Sequence, residues 1–320
     1  MKTITILVPC YNEENSIEVL YEHLHNVIGQ LHGYNYHILL VNDGSKDNTL
    51  AKMQELHIKD PSVSYLSLSR NFGKENAMLA GLDYAEGDAV IIMDADLQDP
   101  PELIPQMLQE WEKGYDDVYA RRRTRAGETW FKKASAHWYY RILQKFSDID
   151  IPADVGDFRL LDRQAVDALR SLRERQRYTK GLFSWIGYNK KELLFDRGSR
   201  AVGNSKMNFV KLFGLAVDGI TSFSVAPLRL ASVLGLLISS IAFIYLLFVI
   251  GKTLLFGDPV AGYPSMISII LFMGGIQLVV LGIIGEYVGR IFYEAKRRPD
   301  YLVSEYNGKK VYQERSAKRE

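Results

Sequence analysis

The chain has 320 residues, enough for one catalytic domain of about 200 residues and a smaller appended part. Its 39 Lys and Arg residues balance 38 Asp and Glu residues, so the formal charge of +1 excludes the broad positive field of a non-specific nucleic-acid-binding protein. The single cysteine, Cys10, excludes an intramolecular disulfide and a thiolate zinc site. Most charged residues lie before residue 212, which predicts a soluble part followed by a membrane part.

The N-terminal half alternates short β-branched runs with helical patterns. Apolar residues between the first two runs recur every three or four positions, at Ile17, Leu20 and Leu24, as on the buried face of an amphipathic helix. This alternation predicts an α/β fold with a mainly parallel, doubly wound sheet. The predicted strands are residues 3–8, 36–41, 62–68, 89–94 and 117–120.

Polar residues follow three of these predicted strands. The segments are Cys10-Tyr11-Asn12-Glu13 after the first, Asn42-Asp43-Gly44-Ser45 after the second and Asp94-Ala95-Asp96-Leu97-Gln98 after the fourth. In a parallel sheet, ligands bind beyond the carboxyl ends of the strands. Asp94 and Asp96 follow an apolar strand and precede a proline-initiated helix, which favours a site for Mg²⁺ or Mn²⁺ over a solvated acidic turn.

Two uncharged stretches lie in the C-terminal part. Leu230–Gly251 has 22 residues without a formal charge, and Val260–Gly285 contains Gln277 as its strongly polar residue. As helices they would each span the roughly 30 Å hydrocarbon layer, which favours a transmembrane hairpin over a buried helix pair. The excess of basic residues outside the connecting loop predicts that both termini are cytoplasmic. These flanking residues are Lys206, Lys211, Arg229, Arg290, Lys296, Arg297 and Arg298.

Taken together, the motifs identify a family. VPCYNEE, VNDGS, SRNFGK, DADLQDPPE, GDFRLLDR and IGEYVGR, with the two apolar stretches, cover nearly the whole chain. The chain resembles the family 2 glycosyltransferases with a GT-A fold. Within that family it resembles the bacterial polyprenyl-phosphate glycosyltransferases of the GtrB type, which are related to dolichol-phosphate mannose synthase.

This resemblance implies a role for each matching residue. Nucleotide binding is implied for Pro9, Tyr11, Glu13, Asp43 and Asp94. A Mg²⁺ or Mn²⁺ site is implied for Asp94, Asp96 and Gln98. Asp157 matches the catalytic carboxylate, either as a base or as an orienting group, and binding of the acceptor phosphate is implied for Arg122, Ser135, Arg200, Ser205 and Lys206.

The resemblance also implies how the chain is organised. We expect a GT-A domain over residues 1–204, with an interfacial helix at about 128–147 that could equally pack against this domain. A membrane-proximal amphipathic segment is expected over 205–227, two transmembrane helices within 228–290, and a cytoplasmic tail over 291–320. The expected helices run from about 230 to 252 and from about 263 to 285.

The expected activity is transfer of one sugar, with inversion, from a nucleotide-sugar donor to a polyprenyl phosphate such as undecaprenyl phosphate. UDP-glucose is the preferred donor, with UDP-N-acetylglucosamine still open. The resemblance implies a bacterial inner-membrane location and a homotetramer. A polysaccharide-elongating synthase is disfavoured because Q-x-x-R-W is missing, and the intact acidic set disfavours an inactive nucleotide-binding adaptor.

Overall fold

The computed structural model describes residues 1–123, 155–175, 177–195, 226–256 and 262–311. The expected interfacial helix and the membrane-proximal segment up to residue 225 lie outside these ranges. The described elements, in chain order, are β1 (Lys2–Cys10), α1 (Ile17–Ile28), β2 (Tyr34–Asn42), α2 (Thr49–Lys59), β3 (Val63–Leu68), α3 (Lys74–Tyr84), β4 (Ala89–Ile92), a 3₁₀ turn (Pro101–Leu103), α4 (Ile104–Glu112), β5 (Asp117–Arg122), β6 (Val155–Asp162), α5 (Arg163–Ser171), α6 (Thr179–Trp185), β7 (Lys190–Phe195), α7 (Ala226–Phe256), α8 (Tyr263–Ala295), β8 (Val303–Tyr306) and β9 (Lys309–Lys310).

All five predicted strands and the first predicted helix are confirmed. The strands join a mixed sheet of order β7-β5-β6-β4-β1-β2-β3-β8-β9. β6 and β8 run opposite to their neighbours, and the other strands share one direction. The predominantly parallel sheet is therefore confirmed, with two antiparallel strands that the sequence patterns did not indicate.

The core lies on both faces of the central strand β1. Ile4, Ile6 and Val8 point to one face, where they meet α1, α2 and α4. Leu7 points to the other face, towards α3, α5 and α6. Because side chains alternate along a strand, a strand covered on both faces must be apolar at nearly every position. Gly81 of α3 packs so closely on Leu7 that a β-carbon there would overlap the leucine side chain.

Two long apolar helices, α7 and α8, pack against each other. Their apolar side chains are largely exposed, as at Leu236 (72%) and Phe272 (65%). Within the described ranges, one stretch is long and apolar enough to cross a membrane: Phe272–Ala295, with 24 residues and a mean hydropathy of 1.6. Exposed apolar surface of this length is typical of a lipid-facing helix.

The chain returns to the sheet of the N-terminal domain after α8. β8 pairs antiparallel with β3 and with the edge strand β9, so residues 303–306 lie one strand in from that edge of the sheet. The Asn307 side chain accepts a hydrogen bond from the backbone N–H of Tyr65 at 2.8 Å, and the Tyr65 hydroxyl donates to Glu305. The segment expected as a cytoplasmic tail thus contributes two strands to the N-terminal domain.

Candidate active site

An open cleft of about 430 Å³ lies at the carboxyl ends of β1, β2 and β4. These three strands are adjacent in the sheet, so the loops that follow them meet at one edge, as the sequence predicted. The cleft brings together six predicted site residues and several others. Its lining residues are Pro9, Cys10, Tyr11, Glu13, Asp43, Asn71, Gly73, Lys74, Ala77, Asp94, Ala95 and Asp96.

The loops after β1 and β2 are tied to each other by hydrogen bonds. The backbone N–H of Asn12 donates to Ser45 Oγ at 3.0 Å, and the Asn12 side chain accepts from Lys46 N at 2.9 Å. Asn12 has a φ of 56°, a left-handed conformation that asparagine tolerates better than most residues. These bonds fix the wall of the cleft where Tyr11 is 42% exposed, leaving an aromatic face open to a ligand.

Glu13 stands on the same wall. Its backbone N–H donates to Thr49 Oγ1 at 2.8 Å, and its carboxylate accepts from Ser16 Oγ. Burial raises the pKa of Glu13, and the nearby carboxylates of Asp96 and Asp94 raise it further, against the opposing effect of Ser16. A cleft with this many carboxylates has a strong preference for a cationic ligand.

Asp43 holds the loop between β3 and α3. Its two carboxylate oxygens accept from the backbone N–H groups of Phe72 and Gly73 at 2.7 and 3.0 Å. Burial raises the pKa of Asp43, and these two amide donors only partly counter the effect. Next to it, Gly44 has a φ of 63° and approaches the backbone of Arg70 closely. The loop leading into α3 is therefore clamped against the end of β2.

The acidic turn after β4 is unusually shaped. Leu97 has a φ of 61°, a conformation that costs a non-glycine residue about 1 kcal/mol or more. The turn is held by Asp99, which accepts from Asp94 N at 3.0 Å, and by Asp96, which accepts from Gln98 N at 3.2 Å. Burial, and then the charge of Asp94, raises the pKa of Asp99 to about 7. The strained turn thus holds Asp94, Asp96 and Gln98 together.

The predicted metal ligands fit a divalent ion. The side-chain oxygen of Gln98 is buried and has no hydrogen-bond partner within the described part of the chain. No group of three His, Cys, Asp or Glu side chains in that part forms a complete metal cage. Mg²⁺ and Mn²⁺ prefer oxygen ligands, so the side-chain oxygens of Asp94, Asp96 and Gln98 suit such an ion, which takes few protein ligands and completes its coordination with phosphate oxygens and water.

Asp157, the predicted catalytic carboxylate, forms an ion pair with Lys74, which lines the cleft. Its Oδ2 atom lies 2.5 Å from Lys74 Nζ, and the same nitrogen lies 2.5 Å from Asp94 Oδ1. The other oxygen, Oδ1, is buried without a partner among the described residues. Burial favours the neutral acid, but Lys74, Lys180 and Arg159 outweigh it and lower the pKa of Asp157.

A partly buried carboxylate beside Lys74, that of Glu75, anchors α6. Glu75 accepts from the backbone N–H of Thr179 at 3.1 Å and from its hydroxyl. Burial and the charge of Asp157 raise the pKa of Glu75, and the two bonds from Thr179 oppose that rise. Thr179 is the first residue of α6, so this contact connects that helix to the start of α3.

The residues expected to bind the acceptor are only partly described. Arg122 ends β5, which runs in the same direction as β4 two strands away, so it lies at the same edge of the sheet as the cleft. Ser135, Arg200, Ser205 and Lys206 lie outside the described residues.

Sequence reasoning gave no role to Lys74, although it lies in the SRNFGK motif. The available signal was a lysine at the start of a helix that follows a buried strand, next to a cleft of at least four carboxylates. Such a cluster needs a counter-charge, and local patterns do not show which cation supplies it.

The chain belongs to glycosyl transferase family 2, whose model matches residues 5–170. The N-terminal domain has the GT-A fold of this family, and the protein is a glycosyltransferase. Residues 226–291 match the GtrB C-terminal hairpin, so the chain is a family member that carries this hairpin after its glycosyltransferase domain.

Similar proteins cover almost the full length of the chain. A glycosyltransferase of Synechocystis sp. is 48% identical over 95% of this chain and 96% of its own. The bactoprenol glucosyl transferase of Shigella phage SfV is 45% identical over 94% and 97%. Among solved structures, glucosyl-3-phosphoglycerate synthase from Mycobacterium tuberculosis, in complex with Mn²⁺ and UDP-glucose, is 16% identical with a TM-score of 0.43, covering 67% of this chain and 75% of that one.

Proposed function

We propose that this glycosyltransferase moves a single glucose from UDP-glucose to a polyprenyl phosphate such as undecaprenyl phosphate, with inversion at the anomeric carbon. The observation that carries the proposal is the cleft of carboxylates at the ends of β1, β2 and β4. The choice of sugar and lipid is supported by the 45% identity with the phage bactoprenol glucosyl transferase, which extends through the C-terminal hairpin.

The donor would lie across the cleft. Pro9, Tyr11 and Glu13 would face the nucleoside, and Asp43 would keep the opposite wall in place through its bonds to Phe72 and Gly73. A nucleoside diphosphate bears negative charges that this acidic cleft would repel. Binding of the donor therefore needs a cation, which is the physical reason for a metal ion here.

Asp94, Asp96 and Gln98 would hold Mg²⁺ or Mn²⁺. When bound, the ion stabilises the negative charge that develops on the diphosphate leaving group, so no general acid is required. The buried Gln98 oxygen, which has no hydrogen-bond partner among the described residues, and the left-handed conformation of Leu97 support this assignment.

Asp157 would orient the sugar rather than remove a proton. A phosphate monoester has a second pKa near ~6 and is largely dianionic at neutral pH, so the acceptor is a nucleophile without a base. The lowered pKa of Asp157 makes its carboxylate a weak base. Its Oδ1 atom, buried without a partner in the described chain, is free to accept a hydrogen bond from a sugar hydroxyl.

The acceptor phosphate would approach from the β5 side of the cleft. Arg122 lies at that edge, and we assign Ser135, Arg200, Ser205 and Lys206 to the same role on the strength of the family motifs. Because an anionic lipid headgroup stays at the membrane surface, its cations must lie near the start of the hairpin, which begins at α7.

The hairpin would anchor the protein in the bacterial inner membrane with both termini in the cytoplasm. A cysteine introduced at Asp258, between the two helices, in a protein with Cys10 replaced by serine, should react with an impermeant thiol reagent outside spheroplasts. Labelling that requires permeabilisation would refute this orientation. We further propose a homotetramer, which light scattering of the detergent-solubilised protein would test.

One assay separates this function from its rivals. The purified full chain is incubated with Mn²⁺, undecaprenyl phosphate and a panel of labelled nucleotide sugars that includes UDP-glucose and UDP-N-acetylglucosamine. We expect one lipid product carrying a single glucose. A polymer would indicate an elongating synthase, and nucleotide binding without any product would indicate an inactive adaptor.

A further inference from the structure

Lys74 is a cation that lines the cleft. It is the first residue of α3, and the loop before it is fixed by the bonds from Phe72 and Gly73 to Asp43. Its ammonium group lies 2.5 Å from both Asp94, in the turn after β4, and Asp157, on β6. The lysine therefore joins the acidic turn after β4 to the carboxylate on β6.

The Lys74 ammonium uses an oxygen that a divalent ion would also need. Asp94 is one of the three residues that fit such an ion, and an ammonium bound to a carboxylate competes with any other cation for it. Asp157 is different, because it lies on β6 and is not part of the acidic turn. Its contact with Lys74 can persist when a metal ion occupies that turn.

We propose that Lys74 is a positioning residue that holds Asp157 in place and shares Asp94 with the divalent ion, so that the ion binds by displacing the lysine from Asp94. This inference rests on the proposed function, since it assumes a metal-dependent donor site. In the protein without donor, Lys74 neutralises two carboxylates that would otherwise repel each other. With an ion held by the acidic turn, Lys74 would keep its contact with Asp157.

A salt bridge with a purely structural role would behave differently. Loss of such a bridge would destabilise the fold and weaken every ligand, including the metal ion. Loss of a competing cation strengthens metal binding instead, because Asp94 is released and the cleft becomes more negative. The sign of the change in metal affinity therefore distinguishes the two roles.

The test measures Mn²⁺ binding to the full chain in detergent, without donor, by the electron paramagnetic resonance signal of free Mn²⁺. For Lys74→Met we expect about tenfold tighter Mn²⁺ binding, the size expected from the loss of one competing charge-assisted hydrogen bond. At saturating Mn²⁺ and UDP-glucose, kcat should fall at least about tenfold, because Asp157 loses its anchor, with a smaller change in KM for the donor.

Three further variants complete the experiment. Lys74→Gln should repeat the result if Lys74→Met does not fold, and Lys74→Arg, which keeps the charge, should retain wild-type Mn²⁺ affinity and recover part of kcat. Lys52→Met removes one positive charge from the surface pair with Glu18 and should leave Mn²⁺ binding unchanged.

Equal Mn²⁺ affinity in folded wild type, Lys74→Met and Lys74→Gln would overturn the role of Lys74 while leaving the metal site intact. If Lys74→Met binds Mn²⁺ and the wild type does not, the proposed role of Lys74 is supported. If none of these proteins binds Mn²⁺ with or without UDP, both this inference and the metal dependence of the proposed function fail. Activity of the wild type in the product assay then shows whether transfer itself survives.

Discussion

Gly44, at the turn after β2, tests whether the cleft depends on the close approach of two loops. Its φ of 63° would cost alanine about 1–2 kcal/mol. A β-carbon there would also overlap the carbonyl carbon of Arg70 and lie 2.6 Å from the nitrogen of Asn71. The contacted atoms are backbone atoms of a loop whose next two residues, Phe72 and Gly73, are bonded to Asp43, so we expect an overpacking cost of about 1–3 kcal/mol.

The matched control is Gly114→Ala. Gly114 also has a positive φ, of 94°, but an added β-carbon would meet nothing within 4 Å. Thermal unfolding of the detergent-solubilised protein, followed by tryptophan fluorescence, should therefore show Gly44→Ala melting about 4–8 °C below Gly114→Ala, from an excess of about 2 kcal/mol. The Gly44 variant should also bind UDP more weakly, because the loop that leads into α3 has moved. Equal melting temperatures and equal UDP affinity would refute the close-approach argument.

Three other changes probe the core and the site. Asp117→Asn leaves the buried Arg159 guanidinium, now 2.9 Å from Asp117, without its counter-ion, and should cost about 3 kcal/mol of unfolding free energy. Burial lowers the pKa of His37 below 6.5, so the unfolded chain binds a proton at this site more readily than the folded protein does. The free energy of unfolding should therefore fall as the pH drops below about 6.5. In denaturant titrations, His37→Gln should weaken this dependence on pH. Asp157→Asn should reduce kcat yet keep the acidic limb of the pH–rate profile near ~6, which the acceptor phosphate sets.

Each of these changes has its own control. Glu112→Gln breaks an exposed ion pair with Lys2 and should change the free energy of unfolding by less than about 1 kcal/mol. If Asp117→Asn loses no more than Glu112→Gln does, the argument from the buried ion pair is contradicted. His23 is exposed, and His23→Gln serves in the same titrations as the control for replacing a surface histidine. Disappearance of the acidic limb in Asp157→Asn would show that Asp157 acts as a base.

The first five strands were predictable because each is a short apolar run bounded by polar residues, and because adjacent parallel strands bring their polar ends to one edge. Tyr11, Asp43, Asp94 and Asp96 could therefore be placed in one site from the sequence. The signal is local, and the parallel arrangement follows from the alternation of strands and helices.

The remaining features depend on contacts that local patterns do not encode. β6 inserts antiparallel between β4 and β5, and β8 pairs with β3 across more than 230 residues of sequence, as the Ser67–Ser304 contact shows. Lys74 appears in sequence as an ordinary first residue of a helix. Its role emerges only when β4, β6 and α3 are assembled, because Asp94 and Asp157 come from distant parts of the chain.

The most direct measurement of the central claim is transfer of labelled glucose from UDP-glucose to undecaprenyl phosphate by Asp96→Asn and by the wild type. The two proteins should first be shown to have the same melting temperature, so that a loss of activity is not a loss of folding. The substitution keeps the size of the side chain and removes the charge that would hold the divalent ion. We expect a loss of at least about 100-fold in kcat/KM, of the order found when a stabiliser of transition-state charge is removed. Full turnover by a folded Asp96→Asn protein, or by the wild type in excess chelator, would contradict the account.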